Sequence, residues 1–302
     1  MSKTNLFIDG SSGTAGLQFY DRVSGRDDIN IITLSSEDRH NPVKRAEMLN
    51  ECYIAVLCLP DEAAVESVSL ITNDKVRVID CSTAHRTAPG WIYGFPEPFP
   101  GRKEEIASAR FVANPGCHAS GFISLVAPLV REGIIPASAH ISCHSITGYS
   151  GGGKKMIAAY EDANRPELYN APRQYGLTQK HKHLPEMQYV CGLDTAPIFC
   201  PIVADYYSGM CVTVPLFSSD IKGSIDDIKA VYKNLYTTGN VSYTENPDED
   251  GLLSALHLSG TDKMEISVFG NEERIILVSR FDNLGKGAAG SAVQNLNIML
   301  KD

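Results

Sequence analysis

The feature that most constrains this chain is a run of three glycines between two different kinds of sequence. Residues 5–8 are a short apolar run of strand length. Gly10-Ser11-Ser12-Gly13-Thr14-Ala15-Gly16 follows at once, and residues 15–23 then have helical composition. Glycines let a backbone turn sharply after a strand and approach a pyrophosphate, whose charge then sits on the N-terminus of the next helix. The spacing is G-x-x-G-x-x-G and not the commoner G-x-G-x-x-G, but the strand before and the helix after are the context such a loop requires. The expectation is a dinucleotide site built from Gly10, Ser12, Gly13, Thr14 and Gly16. A plain tight turn is the competing reading.

The next hundred residues support the same fold. Residues 30–34, 53–59 and 76–79 are further Ile/Val/Leu-rich runs, as expected of strands buried on both faces of a parallel sheet. Helix-like stretches at 42–49 and 61–71 separate them, and Asp61 after Pro60 reads as a helix N-cap. Strand and helix alternating at this spacing means βαβ units. From about residue 115 the rhythm changes. A long helical stretch, 118–131, leads into β-rich sequence with strands expected at 211–216, 265–268 and 275–281. An amphipathic helix is expected at 224–236 and a last helix at 287–300. The fold class is therefore α/β. A Rossmann-type dinucleotide-binding domain (1–114, completed by 285–302) is expected beside an α+β catalytic domain (115–284) with a mixed or antiparallel sheet.

Charge and cysteine usage exclude several classes. A net charge of −9 repels a phosphate backbone, and no dense Lys/Arg tract offsets it, so nucleic-acid binding is not expected. The longest apolar runs are too short to span a bilayer, and the N-terminus lacks a signal core, so no membrane partner is expected. The eight cysteines show no C-x-x-C spacing. That argues against zinc or redox dithiols and for reduced thiols in the cytoplasm. No metal is expected.

Near the second strand's end the chain reads Leu34-Ser35-Ser36, with Arg39, Lys44 and Arg45 following. An NAD site usually places an acid there for the ribose 2′-hydroxyl, whereas hydroxyls and cations suit the 2′-phosphate of NADP. Ser35 is the candidate contact; Glu37 weighs against it, and a solvated loop is the alternative.

Asn114-Pro115-Gly116-Cys117 places a thiol where a helix begins. A helix N-terminus lowers a thiol's pKa from about 8.5 toward roughly 3.5–7.5, and its free amides can hold an oxyanion. Cys117 is the candidate nucleophile; the other seven cysteines read as structural. The densest source of a proton acceptor is His181-Lys182-His183-Leu184-Pro185-Glu186. Pro185 suits a helix's first turn, with Glu186 inside it and His183 just before. Gly148-Tyr149-Ser150-Gly151-Gly152-Gly153-Lys154-Lys155 mimics a P-loop but has Lys155 where Ser or Thr should bind magnesium. That loop could still contact a phosphorylated substrate.

With these residues in view the chain resembles the N-acetyl-gamma-glutamyl-phosphate reductases, in their shorter branch. The resemblance runs nearly end to end through GSSGTAG, CLPDEA, IDCSTAHR, WIYGFPE, NPGCHASG, TGYSGGGKK, HKHLPEM and DNLGKGAAGSAVQNLN. Longer members read SGVSGAG and HRHTPEI at two of these places, which puts the residues gripping the substrate's acetamido and carboxylate groups in question. The resemblance implies an NADP-dependent interconversion of N-acetyl-glutamyl 5-phosphate with the 5-semialdehyde and phosphate. It implies Cys117 as nucleophile and His183 as acid/base with Glu186 beside it. His181, Arg86, Arg110 and Lys154 are the candidates for holding the acyl-phosphate substrate. Asn283 and Gly287 are placed near the cofactor, and a homo-oligomer is the expected assembly. Two alternatives stand beside this: an aspartate-semialdehyde-dehydrogenase-like enzyme on another acyl phosphate, and a non-catalytic dinucleotide sensor.

Overall fold

A computed structural model describes residues 3–35, 37–39, 41–237 and 239–301. The chain divides into two compact units: Met1–Phe95 with Gly101–Pro115 and Ala288–Asp302, and Pro96–Pro100 with Gly116–Gly287.

In the first unit the elements run β1 (Thr4–Asp9), α1 (Thr14–Val23), β2 (Ile29–Ile32), α2 (Pro42–Glu51), β3 (Ile54–Leu57), α3 (Asp61–Ser69), β4 (Arg77–Asp80), β5 (Ile92–Tyr93), α4 (Arg102–Ser108) and β6 (Phe111–Ala113). The strands form one sheet in the order β2-β1-β3-β4-β6-β5, every pairing parallel. All four residues of β3 are buried because apolar clusters cover both faces of the sheet. Chain direction across the sheet reverses at β1, where ligands of such sheets bind outside the carboxyl ends of the strands.

Two local readings are corrected. Asp61 is not the N-cap of α3; Pro60 is, and Asp61 is the first helical residue. Its carboxylate is engaged elsewhere, accepting from Thr83 N at 2.8 Å and from the Thr83 hydroxyl. Arg45 is no surface cation: it is buried, bonding to Asp9, Glu66 and Ser67.

The second unit opens with α5 (Cys117–Arg131), followed by β7 (Ser142–Gly148), α6 (Gly153–Glu161), β8 (Arg173–Gln174), α7 (Leu184–Cys191), β9 (Ile198–Ala204), β10 (Met210–Phe217), α8 (Ile225–Leu235), β11 (Val241–Tyr243), β12 (Met264–Gly270) and β13 (Arg274–Phe281). Its sheet is mixed, in the order β11-β12-β13-β10-β7-β9-β8. The helix α5 is buried without a break from His118 to Leu129. A Cβ on Gly121 would lie 2.4 Å from the Val212 side chain, so glycine there lets α5 sit directly on β10. Tyr236 of the segment after α8 donates to Ser124 O at 2.6 Å, and Tyr232 donates to Leu125 O, tying α8 to the same helix.

The last helix, α9 (Gly290–Met299), belongs to the first unit. It starts later than expected, after a widened turn over Gly285–Ala289. The Asp282 carboxylate accepts from Leu284 N and Gly285 N, which holds that turn out of regular helix. Asn295 fixes α9 to the first sheet by donating to Gly94 O at 2.9 Å and to Asn114 Oδ1 at 3.1 Å. No helix among the described residues is long and apolar enough to cross a membrane.

Candidate active site

In the first unit the three loop glycines do three different jobs. Gly10 has φ +85°, and a Cβ there would lie 2.5 Å from Cys58 O, so only glycine makes the turn. A Cβ on Gly16 would lie 2.3 Å from Gly10 O, so α1 packs on the strand only because that atom is missing. At Gly13 the nearest protein atom would be 3.5 Å away, an ordinary contact. Packing does not demand glycine at 13. The open space at Gly13 is what the close backbone approach of a dinucleotide loop requires. Thr14 opens α1, and Ser12 Oγ accepts from Arg39 at 3.4 Å. Ser35 exchanges hydrogen bonds with Asp38, its hydroxyl donating to the carboxylate at 3.1 Å and accepting from the amide at 3.1 Å. Ser36 lies outside the described residues.

In the second unit Cys117 is the first residue of α5, with Gly116 as an extended N-cap. The thiol is half-buried, whereas Cys52, Cys143 and Cys191 are buried, and burial pushes each of those thiols up, Cys52 to about 12. A Cβ on Gly287 would lie 2.9 Å from Cys117 Cβ, so this glycine keeps the space beside the cysteine open.

The loop 175–183 brings the histidines to that helix start. Tyr175 N is anchored on Pro201 O of β9 at 3.0 Å. Gln179 adopts φ 54°, unusual for a non-glycine residue, and its side chain exchanges two hydrogen bonds with the backbone of Phe199 at 2.7 and 2.9 Å. Such backbone strain persists only where surrounding bonds impose it, as they do here. The ring centroids of His181 and His183 are then 4.8 Å apart, and each lies 5.7 Å from the ring of His118. His183 is buried and caps α7; its backbone N–H donates to His181 Nδ1 at 3.2 Å, which leaves the proton of a neutral His181 on Nε2. Burial, and after it the charge of Lys182, holds the His181 pKa below its ordinary value.

Glu186, in the first turn of α7, is buried, and its Oε1 accepts from Gly116 N at 2.8 Å. The carboxylate thereby grips the peptide just before Cys117. The peptide amides of the first turn of α5 have no intrahelical acceptor and face the same end.

Two arrangements went unseen in the sequence. His118, next to the cysteine, is buried with both ring nitrogens engaged, Nδ1 with Ser145 Oγ and Nε2 with Tyr175 Oη, each at 2.6 Å. Burial lowers its pKa to about 3, so the ring is neutral. Lys286 is fully buried and pairs with Glu97 at 2.7 Å; burial lowers its pKa against the opposing pull of that carboxylate. A lysine flanked by glycines in DNLGKGAAG was the only signal for it.

The remaining candidates belong to both units. Asn283 is buried in a latch, accepting from Gly209 N and donating to Ser150 Oγ, each at 2.9 Å. Arg86 is buried in the first unit and donates to Asn114 O and Cys81 O. Arg110 precedes β6 and donates to Val76 O and Asn73 O, at the amino ends of the strands. Lys154 is exposed near the start of α6, beyond a tight turn over Tyr149–Gly152. Among the described residues no three His, Cys, Asp or Glu side chains converge as metal ligands would.

Residues 5–106 match the semialdehyde dehydrogenase NAD binding domain, and residues 117–283 match the semialdehyde dehydrogenase dimerisation domain. The chain is 45% identical to the N-acetyl-gamma-glutamyl-phosphate reductase of Brucella ovis, over 99% of both chains. It is 43% identical to N-acetyl-gamma-glutamyl-phosphate reductase 2 of a Nostoc species, over 99% of this chain and 98% of that one. Among solved structures it superposes on the aspartate semialdehyde dehydrogenase II of Vibrio cholerae with a TM-score of 0.74 at 17% identity, covering 100% of this chain and 99% of that one. A probable aspartate-semialdehyde dehydrogenase of Pseudomonas aeruginosa gives 0.72 at 15% identity over 99% of both chains. At those identities the structural likeness speaks for the fold alone.

Proposed function

The chain belongs to the N-acetyl-gamma-glutamyl-phosphate reductases within the semialdehyde dehydrogenase family, and from that premise we propose how its own residues carry the reaction. It is a nicotinamide-dinucleotide-dependent oxidoreductase acting on a small molecule, and the reaction is reduction of N-acetyl-glutamyl 5-phosphate to the 5-semialdehyde with release of phosphate. Cys117 is the nucleophile. The observation that carries this is the convergence on one helix start of a half-buried thiol, two histidine rings and a carboxylate bonded to the preceding peptide.

His183 accepts the thiol proton, and the thiolate adds to the acyl carbonyl. Phosphate departs and leaves a thioester on Cys117. The first-turn amides of α5 hold the negative oxygen in this step and the next. The bound dinucleotide, when reduced, supplies the hydride. Expulsion of the sulfur then gives the aldehyde, and the imidazolium of His183 returns its proton to that sulfur. Covalent catalysis of this kind divides one difficult step into two easier ones. His181, neutral with its proton on Nε2, offers a donor to the substrate.

NADP is the proposed cofactor. Supporting it are the absence of an acid at positions 33–35 and the reach of Arg39 to Ser12 in the glycine loop. Residues 1–114 with 285–302 are assigned to dinucleotide binding and 115–284 to the chemistry, in a cytoplasmic homo-oligomer. The test is phosphate-dependent oxidation of N-acetyl-glutamate 5-semialdehyde and of aspartate semialdehyde, each with NADP and with NAD. Faster turnover of aspartate semialdehyde would overturn the substrate, a kcat/KM favouring NAD would overturn the cofactor, and no turnover of either would leave a sensor.

A further inference from the structure

Two cysteines of the first unit stand side by side at the carboxyl rim of its sheet. The register of β3 with β4 ends on Leu57 and Asp80, and the ladder runs one bond further, Cys81 N donating to Leu57 O at 2.9 Å. Cys58 and Cys81 are the next residues in that register. Neighbouring strands lie about 4.8 Å apart, inside the roughly 4.4–6.8 Å that a disulfide spans between α-carbons. Both side chains pack against the apolar cluster that holds Phe19 of α1 and Ala292 of α9, so they leave the same face of the sheet. A hydrogen bond between the two thiols, and after it burial, pushes the Cys81 pKa up. Neither cysteine is fully buried. Cys143 and Cys200 make the contrast. They also sit on neighbouring strands, but Cys143 pairs with Phe199 and Cys200 with His144, so their side chains leave opposite faces.

Cys58 also touches the glycine loop. Its N–H donates to Asp9 O at 2.8 Å, and its carbonyl oxygen lies 2.5 Å from where a Cβ on Gly10 would stand and 3.8 Å from one on Gly13. We propose that Cys58 and Cys81 are an oxidation site that closes to a disulfide, and that the bridge weakens dinucleotide binding through the backbone of Cys58. The oxidant is a peroxide. Hydrogen peroxide takes an electron pair from the Cys58 sulfur, leaving a sulfenic acid and one water. The Cys81 sulfur then displaces the hydroxyl, which departs with the Cys81 proton as a second water. The two thiols lose two electrons, and the peroxide gains them. Drawing both strand ends onto one S–S bond moves the Cys58 peptide, against which Gly10 turns with no room for one more carbon. The coupling rests on the glycine loop as the dinucleotide site; the bridge itself does not.

The test uses the full chain carrying Cys117→Ser, so that oxidation of that thiol adds nothing. The protein is treated with hydrogen peroxide and free thiols are blocked with N-ethylmaleimide. Digests are then read by mass spectrometry for a peptide linked through Cys58 and Cys81. NADPH affinity is measured by fluorescence titration before oxidation, after it, and after dithiothreitol. The linked peptide is expected, with a loss of affinity of about 5–150-fold, the usual range of coupling between two sites, and recovery in dithiothreitol. Linkage is reciprocal, so saturating NADPH in a glutathione redox buffer should shift the pair toward the dithiol by the same factor. Cys58→Ser and Cys81→Ser should each abolish both the linked peptide and the effect of peroxide on affinity. Unlinked thiols, or sulfinic acid at either position, overturn the bridge. A linked peptide with unchanged affinity overturns its effect on the site. If the reduced protein binds neither NADPH nor NADH, the dinucleotide reading and the coupling fall together, while the linked peptide still decides the bridge.

Discussion

Glu186 Oε1 accepts a hydrogen bond from the backbone N–H of Gly116 at 2.8 Å, joining the first turn of α7 to the residue that caps α5. Its bond to Gly116 fixes the peptide that aims Cys117 and commits that amide, so an oxyanion must use the later amides of the turn. Removing the acceptor strands a buried N–H, which costs about 1–3 kcal/mol. Glu186→Ala is expected to lose that much stability in urea unfolding and to lower kcat. Glu186→Gln, which keeps an acceptor oxygen, should lose less of both; equal losses would mean that the charge and not the bond matters.

Cys117→Ser should lower turnover by about three orders of magnitude or more while dinucleotide binding persists, because a hydroxyl is rarely ionised near neutral pH. Stopped-flow measurement of turnover beside fluorescence titration with NADPH separates the two. Near-normal turnover would remove the thioester.

The two loop histidines should separate by kinetics. His183→Asn is expected to lower kcat by about 10²–10⁴ and to remove one limb of the pH–rate profile, the usual worth of general acid–base help. Burial and, after it, the charge of Lys182 hold the His181 pKa below its ordinary value. The ring should therefore titrate below the ordinary histidine range, and His181→Asn should act mainly on KM. Profiles of both variants from pH 5.5 to 9 check this, and a large kcat loss confined to His181→Asn would reverse the roles.

His118 should make stability fall in acid. Its folded pKa, about 3, is below the ordinary histidine value of 6.5, so the unfolded chain binds the proton first as pH drops. The contribution is complete above about pH 6.5 and is lost toward pH 3, with a slope of up to about 1.4 kcal/mol per pH unit. Urea midpoints of wild type and His118→Gln should therefore converge between pH 7 and pH 5. A constant gap would show that the ring is not buried neutral.

Lys286 and Glu97 form a pair in which the lysine is fully enclosed. Lys286→Met breaks this buried pair from one side and should cost about 3–5 kcal/mol. Adding Glu97→Gln should recover part of that loss in urea unfolding. No recovery would mean that the lysine stabilises through packing alone.

The sequence by itself determined the features that depend on neighbours along the chain. Short apolar runs alternating with helical stretches state a parallel sheet, because strands covered on both faces must be apolar at every position. The glycines at 10, 13 and 16 state a tight turn between strand and helix. Cys117 after Asn114-Pro115-Gly116, and His183 before Pro185 and Glu186, mark two helix starts, since capping and proline geometry act within one turn. Asp61 shows where even local reading stops: its type suits an N-cap, but a residue 22 positions away takes its carboxylate. The tertiary structure alone decided which side chains meet. Gly116 and Glu186 are 70 residues apart, His118 and Tyr175 57, and His118 and Ser145 27. Strand pairing and the packing of α5 against its sheet set those meetings. No period or spacing along the chain records them, because a hydrogen bond depends on distance in space and carries no memory of separation in sequence.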